Sequence, residues 1–423
     1  MTTAAATTAA ATTTPAAGGR RAPVALDRLF SLGLLLLTFT FTLGSGLVAW
    51  GLVPLAAAGV WAAPRALRAR DLRRVAWPAL YLVSILVSLA FSPHDLVVVG
   101  SRAAVHVIGF VLFLHLLRSF EVDEPERTDA LRRWSRVLAL AGAVVATHFL
   151  SRVISLLLAG QLAQAFMQRY VGGMMSISWG ASNNIAGALL LPLFACLAVA
   201  GMARRHRSLE YAVAGLMALA IIATLSRNAM ATLVIVAIVY VVANGKLGKL
   251  AMGALVALAV GAILALVIGE DAINVVVRTR GGSIDEIPEW SQRTDIWNEM
   301  VASVERTFPV PIGLYGCINT FKISPHNFVL LNLAELGLWG LVAFVGMLGS
   351  MALGLWRRRA AGGPGVVYLF GLLAIVINTS FEDPQYTHPY IIFFWAFAAI
   401  ATELGGGARR TITVPAKDLT EAA

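Results

Sequence analysis

Apolar blocks about as long as a bilayer is thick recur along the whole 423-residue chain, and they leave few folds open. They run at roughly 29–44, 46–63, 75–91, 96–117, 137–158, 182–202, 209–225, 229–243, 250–269, 328–355, 366–380 and 390–404. Roughly 20 apolar residues of helix cross the hydrocarbon core of a membrane. In that core a spanning segment must satisfy its own backbone, which a helix does. Only 13% of the residues are charged and 58% are hydrophobic, against about a quarter charged in a soluble domain. The expected fold class is all-α integral membrane, with about 12 transmembrane helices.

The net charge of +10 does not point to nucleic acid, because the basic residues sit in short clusters between apolar blocks. Arg65 to Arg74, Arg118 to Arg136, Arg204 to Arg207, Lys246 with Lys249, and Arg357 to Arg359 are such clusters. Cytoplasmic loops collect Lys and Arg. With both termini cytoplasmic, those loops and tails hold 24 of the 33 Lys and Arg. Residues 1–28, Ala/Thr-rich and late in charge, read as a disordered cytoplasmic tail rather than a removable signal peptide. Residues 29–404 read as one polytopic membrane domain and 405–423 as a cytoplasmic tail. Cys196 and Cys317 form no framework, and this topology keeps them apart, so no disulfide is expected.

Most connections on the outer face are short. The exceptions run from about 159 to 181 and from about 270 to 327. In the second, Trp290, Trp297, Met300, Val301, Val304 and Phe308 recur at helical spacing with polar residues between them. That pattern predicts an amphipathic helix lying on the membrane surface. A long loop with structure of its own is where a site is expected.

Three residues at this face draw attention. Ser324-Pro325-His326 predicts an N-cap, a first-turn proline and a histidine in the first turn of the tenth helix. There the helix dipole disfavours imidazolium, leaving a neutral ring able to act as a general base. The alternative is an interfacial histidine that only packs. Arg227, in Thr224-Leu225-Ser226-Arg227-Asn228, sits in a tight turn close to hydrocarbon, a costly place for a cation unless it meets an anion. The alternative is an arginine reaching for headgroups. Arg293 lies on the surface helix within a turn of Trp290 and Trp297, or else pairs with Glu289 or Asp295. Arg278 and Arg280, before Gly281-Gly282, are a second basic contact or a solvated pair. Guanidinium groups grip phosphate oxygens bidentately, so this set points to a phosphate-bearing lipid substrate. No spaced acidic pair, zinc-spaced His/Cys cluster or phosphate loop is seen. The reading therefore carries no metal and no cofactor.

Three stretches resemble the O-antigen ligase and polymerase superfamily of bacterial inner membranes. They are Thr224-Leu225-Ser226-Arg227, then Arg293-Thr294-Asp295-Ile296-Trp297, then Pro325-His326-Asn327-Phe328-Val329-Leu330 with Glu335-Leu336-Gly337-Leu338-Trp339-Gly340. Together with the long loop they cover about a quarter of the chain. The resemblance implies a metal-independent, inverting transfer of a glycan from undecaprenyl diphosphate to a hydroxyl of lipid A core, at the periplasmic face. Arg227 and Arg293 would then hold the donor diphosphate and His326 would be the base. Asn327 and Glu335 match motif positions as well. Asn228 departs from the family, where a small residue such as glycine often follows the Ser-Arg pair. A polymerase using a lipid-linked glycan acceptor shares this donor chemistry. A lipid-linked glycan transporter would instead need polar residues along a path through the bundle, and a membrane scaffold would need none of these residues.

Overall fold

The computed structural model describes residues 24–37, 39–43, 46–66, 72–93, 96–161, 164–165, 182–202, 207–243, 288–321, 324–382 and 387–406. Their regular secondary structure is helical apart from one hairpin. The helices are α1 Val24–Leu35, α2 Leu52–Ala66, α3 Leu72–Ser88, α4 Leu96–Ser119, α5 Glu124–Leu158, α6 Ser182–Met202 and α7 Arg207–Ala223. After these come α8 Arg227–Ala243, α9 Pro288–Thr307, α10 Gly316–Phe321, α11 Phe328–Arg357, α12 Pro364–Thr379 and α13 His388–Gly406. Six of the described helices are long and apolar enough to cross a membrane, and three shorter apolar ones accompany them. The ninth apolar block, 250–269, lies outside the described residues.

Three expectations are corrected. The first two blocks are not two clean helices: β1 Thr40–Leu43 and β2 Gly46–Ala49 form an antiparallel hairpin between α1 and α2, pairing Thr40 with Ala49. Thr40-Phe41-Thr42 favours extended backbone, and Gly46 at the start of β2 is a poor helix former. Helix α1 begins at Val24, inside the expected tail. Helix α5 begins at Glu124 rather than near 137, with Asp123 at its N-cap position and a proline in its first turn. Its 35 residues make a rod of about 52 Å at ~1.5 Å per residue, well beyond a hydrocarbon core of about 30 Å. The surplus carries the arginines Arg127, Arg132, Arg133 and Arg136, which the block pattern alone assigns to a loop.

Helix α13 is the axis of the bundle. It packs on α4, α11, α6, α5 and α12, and every residue from His388 to Ala401 is buried. A helix apolar all round belongs in such a place. Its approach to α4 depends on Gly109, since a Cβ there would overlap the indole of Trp395; small residues let membrane helices close on each other. Outer helices show apolar stripes to the surroundings instead, as at Val234, Ile235, Ile238 and Val242 on α8.

Ion pairs gather at one end of the bundle. Glu403 near the end of α13 lies 2.8 Å from Arg74 Nη1 and 2.6 Å from Arg127 Nε. Asp27 meets His115 and Arg133, each at 2.8 Å, and Arg136 meets Glu210 at 3.1 Å. Arg132 donates to the carbonyl of Met202 at 3.3 Å. The starts of α1, α3, α5 and α7 and the ends of α4, α6 and α13 therefore share this end.

Candidate functional site

The other end holds His326. The helix that follows starts later than expected: Asn327, not Ser324, is the N-cap of α11, and its side chain accepts from Val329 N at 3.0 Å and Leu330 N at 3.1 Å. Asn caps as well as Ser does, and His326 adopts left-handed backbone, φ 50°, which ends any helical path through it. His326 thus stands just outside the helix, and its setting comes from tertiary contacts rather than from a place in the first turn.

Those contacts come from three directions. Asn327 Nδ2 donates to Ser380 O at 3.3 Å, tying the start of α11 to the end of α12. Trp297 Nε1 on α9 donates to Pro325 O at 2.7 Å, one residue before the histidine. Beyond α12, Glu382 Oε2 lies 3.4 Å from His326 Nδ1, an electrostatic contact rather than an aligned hydrogen bond. The histidine side chain is 29% exposed and the glutamate 10%. A carboxylate behind Nδ1 favours the tautomer with its proton there, which leaves Nε2 as the acceptor. A base with an orienting group is the arrangement that activates a hydroxyl. Asn327→Ala is expected to destabilise the protein by about 1 kcal/mol, read from chemical unfolding. Asn327→Ser, which still caps, should keep most of that stability.

Surface helix α9 meets its expectation in part. Ile296, Met300 and Val304 pack with Cys317, Leu331 and Ala334, so this apolar stripe covers α10 and α11. Val301 and Phe308 face outward. The indole N–H of Trp297 is engaged by Pro325 O. Arg293 falls within α9, but its side chain lies outside the described residues, as do Arg278 and Arg280 altogether.

Glu335, two turns into α11, is buried, and its carboxylate accepts from Cys317 N at 3.1 Å at the start of α10. Helix α11 breaks just beyond it, at Gly337 (φ 72°, ψ −175°). The break gives the carbonyl of Ala334 a partner outside the helix, Ile312 N at 2.8 Å. Only glycine takes that backbone readily. Asn327 thus caps α11, and Glu335 anchors the start of α10.

Arg227 is the first residue of α8 and is exposed. The turn before it is built from its own side chains. Thr224 Oγ1 donates to Ile221 O at 2.6 Å and accepts from Ser226 N at 3.2 Å, while Ser226 Oγ accepts from Ala229 N at 3.3 Å. A cation at a helix N-terminus opposes the dipole by about 0.3–1 kcal/mol; an anion bound there would relieve that. Tyr240 near the end of α8 meets Phe370 in the middle of α12 edge to face, centroids 5.2 Å apart. Helix α7 starts at the ion-pair end and α13 finishes there, so Arg227, just after α7, and Ser380 and Glu382, before α13, share the opposite end.

The non-glycine residues with left-handed backbone among the described residues are Leu225, Tyr315 and His326. All three lie on this end, beside Arg227, on the loop under α9, and at the histidine itself. Such conformations persist only where surroundings hold them, and they concentrate at functional sites. The sequence reading passed over Glu382. The signal was present: Glu382-Asp383 is an acidic pair in the short connection before α13, on the same side as His326 in the charge-derived topology. Compared with known proteins, the chain matches no family model and no curated sequence.

Proposed function

We propose that this chain is a membrane glycosyltransferase of the O-antigen ligase type, with twelve crossings, both termini cytoplasmic and the site at the periplasmic face of a bacterial inner membrane. The observation that carries the proposal is the His326–Glu382 pair at the end of the bundle that also presents Arg227. The gathering of arginine ion pairs at the opposite end supports the orientation. In the reaction, a hydroxyl of lipid A core attacks the anomeric carbon of the glycan. The bond to the diphosphate breaks with inversion, and its electron pair leaves on undecaprenyl diphosphate. The hydroxyl proton passes to His326 Nε2, while the Glu382 carboxylate facing Nδ1 offsets the charge the ring then carries. Arg227 and Arg293 take the diphosphate charge as it develops. Membrane lipids surround the bundle, and nucleic acid has no part.

The test uses protein in nanodiscs with an undecaprenyl-diphosphate glycan and rough lipopolysaccharide, followed by gel shift. Wild type should modify the lipopolysaccharide. Arg227→Ala should weaken donor binding by roughly 10- to 100-fold, as expected for a lost charge-assisted contact. A lengthened lipid-linked glycan with unmodified lipopolysaccharide would make the protein a polymerase. Neither product, together with donor binding unchanged in Arg227→Ala, would leave transport as the better account.

A further inference from the structure

Residues 308–321 join α9 to the approach to His326, and this strap is tied down along its length. Ile312 N donates to Ala334 O at 2.8 Å and Leu314 N to Ser88 O at 3.4 Å. Ser92 Oγ donates to Leu314 O at 2.7 Å. Gly313 lies so close to the backbone of Ser92 that a Cβ would overlap it. These contacts fasten the strap to α3, to the start of the α3–α4 turn and to α11.

At its middle stands Tyr315, in left-handed backbone at φ 66°. The Arg102 guanidinium lies over its ring, 5.1 Å from the centroid. Arg102 is about two turns into α4, in an otherwise apolar stretch, a position where a cation is kept only for a reason. Arg102, Tyr315 and Glu335 line one cavity with Tyr81, His106 and Asn332. Its volume of about 30 Å³ holds roughly two waters and no sugar ring. Burial pushes the Tyr315 hydroxyl up to about 12, with Arg102 pulling it down and Glu335 raising it further. The tyrosine therefore stays neutral and offers the cation its ring face. Glu335 meanwhile holds the next residues of the strap through Cys317 N.

We infer that Arg102 is a positioning residue: through Tyr315 it clamps the strap to the bundle and so sets where His326 and α9 stand relative to each other. The link from strap to histidine closes through Trp297, which bonds the backbone just before His326 from the α9 side. The kinetic part of this inference rests on the proposed transfer reaction; the clamp itself does not.

The experiment compares wild type, Arg102→Met and Arg102→Lys in nanodiscs by limited trypsin digestion and by transfer kinetics. Arg306 and Lys322 are the tryptic sites flanking the strap. In Arg102→Met, cleavage at both should quicken roughly tenfold, the effect of losing a partly desolvated cation–π contact. Arg102→Lys, which keeps a cation over the ring, should restore most of the protection. Transfer should lose kcat while the donor KM stays within about twofold of wild type, since the diphosphate contacts are untouched. If Arg102→Met does not assemble, Tyr315→Leu removes the other half of the contact and is read in the same way. Wild-type cleavage rates in both Arg102→Met and Tyr315→Leu would overturn the clamp. Faster cleavage in a protein whose wild type transfers nothing would uphold the clamp and remove the glycosyltransferase reading instead.

Discussion

His326→Ala should lower glycan transfer by roughly 10²–10⁴-fold, the range a positioned general base supplies, while the donor still binds as in wild type. The reasoning is local. The chain on either side of His326 is held by Asn327 on Ser380 and by Trp297 on Pro325, and the ring itself faces the Glu382 carboxylate. Removing it deletes the proton acceptor and leaves the arginines where they are. Glu382→Gln keeps the shape but not the charge behind Nδ1, and should give a smaller loss in the same direction. The decisive readout is single-turnover transfer beside equilibrium donor binding. Transfer by His326→Ala at the wild-type rate would remove the histidine from the chemistry.

The largest effect on stability is expected at the opposite end. Glu403 is buried with a side chain 4% exposed, and it answers both Arg74 and Arg127, whose side chains are 29% and 11% exposed. Glu403→Leu would leave Arg74 without its carboxylate and Arg127 with only the exposed Glu124. Breaking a buried pair costs about 3–5 kcal/mol, and the partial exposure of Arg74 points to about 3 kcal/mol here. The apparent melting temperature in detergent should fall by several degrees. A triple variant with leucine at Arg74, Arg127 and Glu403 should recover much of the loss, since an apolar set of similar volume carries no unpaired charge. An unchanged melting temperature in Glu403→Leu would show that the three helix ends are held by packing alone.

Much of the bundle was legible because its signals are local. An apolar run of bilayer length folds as helix wherever it lies, so α3, α4, α6, α7, α8, α11, α12 and α13 fall within a few residues of their blocks. Hydropathy says nothing about what a helix faces, however. The runs that became the buried axis α13 and the outward-facing α8 read alike, and only packing separates them. The hairpin between α1 and α2 was missed because its residues are as apolar as a helix requires, while backbone preference decided the outcome. The arginine-rich start of α5 was missed for the opposite reason: its charges read as a loop, yet helix formers behind a proline-led start continued it outward.

The candidate site divides along the same line. His326 and Arg227 stand out in the sequence through residue type and neighbours, and the Glu335-Leu336-Gly337 run through the family resemblance. Type could not tell that Asn327 caps α11, that Glu335 anchors α10, or that Gly337 breaks the helix to receive the strap. Glu382 and Trp297 come to His326 from distant segments, 56 and 29 residues away along the chain, and Arg102 reaches Tyr315 from α4. By itself the sequence determined that the chain must put its apolar runs into helices and its cations between them, because transfer free energy acts residue by residue. Which side chains surround the histidine was decided by the tertiary structure alone, because those contacts exist only once separate helices have packed.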